Sequence, residues 1–481
     1  MRFRSIYLCL LVTASILMSC SDDDSFTTSR DARLTFPLDT LRLDTAISGI
    51  PTSTYSFVVR NKGSKGIRIS KARLLKGDEF QANVDGTNIN AAYDYPIEVR
   101  KGDSITVFVK LLSKKTSSDE AQPVEDVLQF ILESGEVQSV TLLGYSQDVY
   151  TLGNYTISSD TTFTPARPIH ITGTLKVAEG KKLTILPGTT LLFSPVSSLD
   201  VEGQLYANGT TDSAIVFRCD RMDHMFTHQT YDKIPGMWRG VNFRSSSYGN
   251  YLNHVEIHGG EYGLRADSSD VSREKLRVEN SRITNTKGDC VTLTNCLAFI
   301  GNSELSNTLG NCVTIYGGDY SFVHCTIANF YPFEGDRGRA VWLYNSYNGR
   351  SLPLRSALFE NCIISGWSED ELFASFSDDN TEKSYLFRSC LLTTPEPEDK
   401  SEYPGCIFEN TQDTLWGSKN FRKFDYDYLI FDFRLKAQSL ARNNADVAVT
   451  QNYYPLDRNG VARLDDNAAD IGCYEYVEEG K

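Results

Sequence analysis

The feature that most constrains this chain is a repeat of 22 residues in its second half. Gly288-Asp289-Cys290-Val291-Thr292-Leu293 returns 22 residues on as Gly310-Asn311-Cys312-Val313-Thr314-Ile315. Asn280-Ser281-Arg282-Ile283 returns as Asn302-Ser303-Glu304-Leu305, and His324-Cys325-Thr326-Ile327 follows at the same interval. Looser copies stand at Asn361-Cys362-Ile363-Ile364 and Ser389-Cys390-Leu391-Leu392. Two positions before each copy sits an apolar residue: Val278, Ile300, Phe322, Phe359 and Phe387.

A fixed period of this size marks a solenoid, in which each repeat buries its apolar face against its neighbours. The local order of apolar residue, turn residue, small residue and aliphatic is strand-like. Neither a 3.6-residue period nor a leucine ladder is present. A unit of this length holds three short strands with their turns, and coils of strands stack at about 4.8 Å. Equivalent residues then become columns. Ser281, Ser303, Cys325, Cys362 and Cys390 form one, and Cys290, Cys312 and Ala340 a second. Small residues suit a tight interior bend there, with aliphatic neighbours filling the core.

On these residues, positions 150–476 resemble a right-handed parallel β-helix of the pectate-lyase-like superfamily. Further stretches carry the resemblance. Gly173-Thr174-Leu175-Lys176-Val177 is similar to opening coils of secreted β-helix proteins. Gly236-Met237-Trp238-Arg239-Gly240-Val241 resembles a coil motif whose Trp packs the core. Asp470-Ile471-Gly472-Cys473-Tyr474-Glu475 resembles a common terminus of such proteins, with Cys473 where alanine is usual. His254 falls in the repeat frame as a turn residue, and the stretch after Cys219 reads as an excursion from the coils.

The expected fold class is all-β: an N-terminal β-sandwich followed by the β-helix. Residues 33–148 carry short alternating runs such as Ser104-Ile105-Thr106-Val107-Phe108-Val109, separated by turn signals such as Asn61-Lys62-Gly63, which reads as a sandwich. Their order resembles the immunoglobulin-type Hydin-related modules of bacterial surface proteins, which implies a spacer or docking role. Residues 149–420 are expected to form the β-helix. Residues 421–481 lose the repeat and are expected to cap its exposed end.

Residues 1–20 read as an export signal, with Arg2 and Arg4 ahead of an apolar segment. It ends Leu17-Met18-Ser19-Cys20, which resembles a bacterial lipobox; that resemblance implies acylation of Cys20 and anchorage in the outer membrane. The acidic run Asp22-Asp23-Asp24 opens a polar tether, residues 21–32. It resembles the surface-export signal of Bacteroidetes-type lipoproteins and implies the extracellular side. A net charge of −14 and a pI near 5.0 argue against nucleic acid as a partner. Nine of the 11 cysteines follow Cys20. An odd number cannot pair completely within one chain, and free core thiols are expected.

The superfamily contains polysaccharide lyases and glycoside hydrolases. A lyase would need Ca²⁺ in a carboxylate cluster and a basic residue as base. Asp267, Asp289 and Asp319 are the candidates on successive coils, and the polygalacturonase motifs are absent. The aromatic-rich stretch 316–347 is instead the first choice for a polysaccharide site. Tyr331, Trp342 and Tyr344 offer flat apolar rings with polar edges, and Asp336, Arg337 and Arg339 could fix hydroxyls. Three readings stay open: a non-catalytic glycan-binding or adhesion protein, which needs no cofactor; a scaffold lipoprotein; and a polysaccharide lyase or hydrolase.

Overall fold

The computed structural model describes residues 25–377, 381–412, 416–465 and 468–478. Cys20 and the acidic run Asp22-Asp23-Asp24 lie outside the described residues. The described residues divide into two compact units: those through Thr116 with Ala121–Gln147, and Ser117–Glu120 with those from Asp148 onward.

The first unit is a β-sandwich. One sheet orders five strands as Thr40–Ile47, Val137–Gln147, Gln122–Leu132, Ile67–Leu74 and Ile97–Val99. The other orders four as Tyr55–Arg60, Ser104–Leu111, Phe80–Val84 and Thr87–Asn88. Strict alternation along Ser104–Leu111 buries Ile105, Val107, Val109 and Leu111, because successive strand side chains point to opposite faces. Asn61 is buried at the turn after Arg60, where its Nδ2 donates to the Val99 and Lys65 carbonyls.

The second unit is a parallel β-helix. Nine coils each contribute one strand to each of three parallel sheets, and two further strands extend the first sheet. Sheet I runs from Tyr150–Leu152 to Ile407–Phe408 with 11 strands; sheet II, from Tyr155–Ile157 to Leu372–Ser375, and sheet III, from Thr161–Phe163 to Leu386–Arg388, have nine each. The apolar residues two before each repeat register as one inner column, Val278, Ile300, Phe322, Phe359 and Phe387. Its last three rings stack at 4.5 and 4.6 Å.

The repeat has a backbone cause. His254, Asn280, Asn302, His324, Asn361 and Ser389 all have φ between 47° and 54°. A left-handed residue sharpens the corner between sheets III and I, and short polar side chains tolerate it best. The next residue turns inward and forms a polar ladder. The amide of Ser281 donates to Ser303 Oγ at 3.0 Å, that of Cys325 to Cys362 Sγ at 3.4 Å, and that of Cys362 to Cys390 Sγ at 3.4 Å. All nine described cysteines are free, and all but Cys406 are buried.

Trp238 packs: its ring stacks on Phe193 at 4.1 Å and its Nε1 donates to the His258 carbonyl. Ahead of it, the excursion forms a small hairpin, His224–Phe226 with Gln229–Thr230, and a 3₁₀ turn at Tyr231–Lys233. The extra length between His324 and Asn361 is divided between the loop 330–340 and a hairpin, Ser346–Tyr347 with Arg350–Ser351.

The C-terminal segment differs from the expected end cap. The end of the core is covered by Tyr403, which stacks on Phe387, and by Phe408, which packs on Tyr403. The described residues from Phe421 onward run back along the outer face of sheet I. The cause is an apolar patch there: Ala328, Ile363 and Leu391 point outward and pack with Phe421, Phe433, Leu435 and Ile471. The helix Val447–Tyr453, capped by Asp446, lies beside the left-handed corners, where Asn361 Oδ1 accepts from the Asp446 amide. Farther back, Tyr474 donates to Glu304 and Arg458 pairs with Glu256.

Candidate functional site

The expected aromatic site resolves into an outer patch of sheet II and residues that lie away from it. On three successive coils one outer column reads Thr314, Trp342, Phe373, and the next reads Tyr316, Tyr344, Ser375. Alternation sends Val341 and Leu343 into the core and leaves Trp342 and Tyr344 facing outward. Trp342 and Tyr344 are nearly parallel at 5.5 Å, and Tyr344 and Tyr316 at 4.9 Å. Phe373 meets Trp342 edge-on at 4.7 Å, and Tyr347 of the hairpin leans on Tyr316 at 4.6 Å. Phe373 and Tyr347 are exposed, and the other three rings are half-buried.

A polar border runs beside the rings at the preceding corner. The amide of Asn311 donates to Asp289 Oδ1 at 2.9 Å, and the amide of Arg339 donates to Asn311 Oδ1 at 2.8 Å. Arg339 then reaches toward Asp370 at 3.9 Å and over the Phe373 ring at 5.6 Å. Thr292 Oγ1 donates to Asp289 Oδ2, and Thr314 Oγ1 accepts from Asn311 Nδ2. Burial, then the neighbouring Tyr344 and Asp289, pushes the Tyr316 hydroxyl up to about 12; Tyr344 moves the same way through burial and Asp289. Both hydroxyls therefore stay protonated and able to donate. Trp342 Nε1 is buried and has no hydrogen-bond partner among the described residues.

The six residues singled out from sequence do not share one place. Trp342, Tyr344 and Arg339 come together on this patch. Tyr331 is buried in the loop 330–340 against Phe333. Asp336 is exposed in the same loop. Arg337 is turned inward, 2.7 Å from buried Glu371, so its guanidinium is engaged inside the coil and cannot serve the open face. Tyr316, Phe373, Asn311 and Asp370 belong to the patch and were not chosen; their positions one coil before or after Trp342, Tyr344 and Arg339 are the signal that finds them.

Asp267, Asp289 and Asp319 do not form one outward row. Asp267 follows a sheet II strand and Asp289 precedes one, while Asp319 lies on sheet III. Among the described residues no three His, Cys, Asp or Glu side chains converge as a metal site.

A second concentration of polar groups lies on the outer face of sheet I. Glu256, Arg282 and Glu304 register on successive coils. Arg282 Nη2 lies 2.8 Å from Glu256, and Glu304 accepts from Ser306 and Tyr474. In the next column His258 Nδ1 is 3.1 Å from Asp232 Oδ1, and Arg218 is 2.8 Å from the same oxygen. His258 and Arg218 lower the Asp232 carboxyl despite its burial. At the start of sheet I, His170 Nε2 meets both Ser194 Oγ and Asp220 Oδ2. Serine and carboxylate share one ring nitrogen there, which is not the relay arrangement of a hydrolytic triad.

Fold and site together define a parallel β-helix protein with an outward aromatic patch, preceded in sequence by a β-sandwich unit. No protein-family model matches the chain, and no curated protein matches it. Among solved structures it is similar to the ASH / PapD-like domain of human CEP192, at 12% identity and TM-score 0.17 over 25% of this chain and 91% of that one. A protein of unknown function from Porphyromonas gingivalis W83 matches at 12% identity and TM-score 0.18, over 26% of this chain and 60% of that one. The catalytic domain of a GH87 alpha-1,3-glucanase in complex with nigerose matches at 9% identity and TM-score 0.25, over 76% and 87%.

Proposed function

We propose that the β-helix unit is a non-catalytic glycan-binding module on a surface lipoprotein. The observation that carries this reading is the outward row Tyr316, Tyr344, Trp342, Phe373, bordered by Asp289, Asn311, Arg339 and Asp370. A sugar ring has an apolar C–H face and a polar hydroxyl edge. Half-exposed aromatic rings suit the first, and fixed carboxylate, amide and guanidinium groups suit the second. The unpartnered Trp342 Nε1 adds a donor that a hydroxyl oxygen could satisfy. Coils repeat along the solenoid as sugars repeat along a chain, which favours a polysaccharide over a compact ligand.

In this reading Cys20 carries the lipid, the acidic tether directs the protein to the extracellular side of the outer membrane, and the sandwich unit spaces or docks. The lipobox sequence Leu17-Met18-Ser19-Cys20 and the acidic run after it support that arrangement. The test is a glycan array probed with residues 21–481, which lack Cys20, with Ca²⁺ present. The expected result is binding to one polysaccharide class, weakened about tenfold, or ~1.4 kcal/mol, by Trp342→Ala. A folded protein that binds nothing on a broad array overturns the glycan reading and leaves the scaffold reading in its place.

A further inference from the structure

Two segments far apart in sequence meet over sheet I. Lys233 Nζ, in the excursion before Trp238, donates to the Tyr428 carbonyl at 2.8 Å, and the His228 and Tyr428 rings pack at 4.6 Å. Tyr428 sits at the tip of the hairpin formed by Phe421–Asp425 and Ile430–Leu435. Between these jaws and the sheet is a chamber of about 180 Å³. That is room for several waters, and it suits one pyranose ring.

We infer that this chamber binds a single neutral monosaccharide unit, such as the end residue of a glycan. The inference rests on the glycan reading but assigns a second site, on a different sheet from the aromatic patch. Three observations carry it. The first is charge. The lining holds two carboxylates, Asp232 and Glu304, and two cations, Lys233 and Arg282, alongside His258 and Asn307. Of these four charged residues only Glu304 is buried, and a charged ligand of either sign would upset the balance of charge around it. A neutral polyol donates to the carboxylates and accepts from the cations without disturbing the balance.

The second observation is an unmet donor. Arg282 Nη2 is engaged by Glu256, but Arg282 Nε is buried with no hydrogen-bond partner among the described residues. Leaving such a donor unsatisfied costs about 1–3 kcal/mol, which a ligand oxygen would remove. The third is backbone strain on the opposite wall. Leu429 has φ of 50°, in the left-handed region that a bulky side chain avoids at about 1–2 kcal/mol. Strain of this kind is characteristic of ligand clamps. Leu429, Phe431 and Phe433 give the chamber an apolar side for the C–H face of a sugar.

The test uses residues 21–481 with D-glucose, D-galactose, D-mannose, L-fucose and N-acetyl-D-glucosamine, and D-glucuronate as a charged counterpart. Saturation-transfer NMR and calorimetry report binding, and hydrogen exchange reports protection at 226–233 and 426–433. One neutral sugar is expected to bind, to protect both segments, and to lose at least about tenfold in affinity in Arg282→Lys. That variant keeps the charge opposite Glu256 but removes Nε. Trp342→Ala should leave this binding unchanged, so failure here is distinct from failure of the aromatic patch. The proposal is overturned if no neutral sugar binds, if glucuronate binds instead, or if Trp342→Ala abolishes the binding. If Arg282→Lys does not fold, the protection pattern in the unaltered protein decides: protection confined elsewhere overturns the assignment.

Discussion

Arg337 Nη2 lies 2.7 Å from Glu371 Oε1, and both side chains are shielded from solvent. Glu371 follows Gly263, Cys290, Cys312 and Ala340 at the same corner of successive coils, where the earlier members are small. It also accepts from the amides of Ala340 and Ser368. Burial pushes its carboxyl up while Arg337 pulls it back.

Removing one member of that pair strands the other. Glu371→Ala is expected to destabilise the β-helix unit by about 3–5 kcal/mol, whereas Arg337→Met with Glu371→Leu should recover most of the loss. Urea denaturation of the three proteins checks this. A single-variant loss below about 1 kcal/mol would mean that water reaches the pair.

Asn302 separates backbone from side-chain effects at a corner. Its φ is 49°, its Nδ2 donates to Asn280 Oδ1, and its Oδ1 accepts from Arg463. Asn302→Gly should lose only the hydrogen bonds, about 1–3 kcal/mol. Asn302→Ala should add a further ~1–2 kcal/mol for the left-handed backbone. Equal melting temperatures for the two variants would contradict the backbone part.

The sulfur ladder predicts both reactivity and tolerance. Burial pushes the Cys362 thiol of the ladder well up, as it does Cys219 and Cys296, which rise to about 11. The ladder sulfurs are closed off from solvent, so little accessible thiolate forms. Titration with a thiol reagent should label at most Cys406 quickly in the folded protein and all nine described cysteines after denaturation. Cys362→Ser should be mild, since Ser281 and Ser303 already fill the same column, while Cys362→Val strands the Cys325 amide.

Two titratable groups hold the C-terminal segment with opposite pH dependence. His324 is buried between Thr450, the Gly472 carbonyl and Asn361, and burial, aided by Arg463, drops its pKa well below the usual histidine value. The folded state favours neutral His324, so its contribution is present above about 6.5 and is lost as pH falls. Glu475 behaves the other way. Burial and Asp470 raise its carboxyl to about 8 despite Arg463, so its contribution is present below about 4.3 and is lost as pH rises through 8. Melting curves from pH 4 to 9 should lose their acid-side decline in His324→Asn and their alkaline-side decline in Glu475→Gln. Unchanged pH profiles in both variants would remove these residues as the cause.

Much of the solenoid was legible because its cause is local. The corner needs a left-handed residue followed by a small inward one, and Asn-Ser, Asn-Cys and His-Cys spell that requirement out. The aromatic patch was half legible: Trp342 and Tyr344 alternate with aliphatics, but their neighbours on other coils are set by register. Arg337 was misread because its partner stands 34 residues away, inside a coil of irregular length. The meeting of Lys233 with Tyr428 spans 195 residues, and no local pattern encodes it. The lateral course of the C-terminal segment did leave a trace. Ile363-Ile364 and Leu391-Leu392 are doublets in strands that should alternate, and a doublet means that both faces are covered.

That lateral course gives the chain a built-in ruler. Most solenoids can gain or lose a repeat, since each unit touches only its neighbours. Here Tyr474 grips Glu304 while Asp446 grips Asn361, so one continuous segment spans several coils at fixed points. Inserting or deleting a coil between those points would shift them by about 4.8 Å and break the grip at one end. The number of coils in this stretch is therefore a locked dimension of the molecule, and variation in length belongs before it, in the turns and excursions.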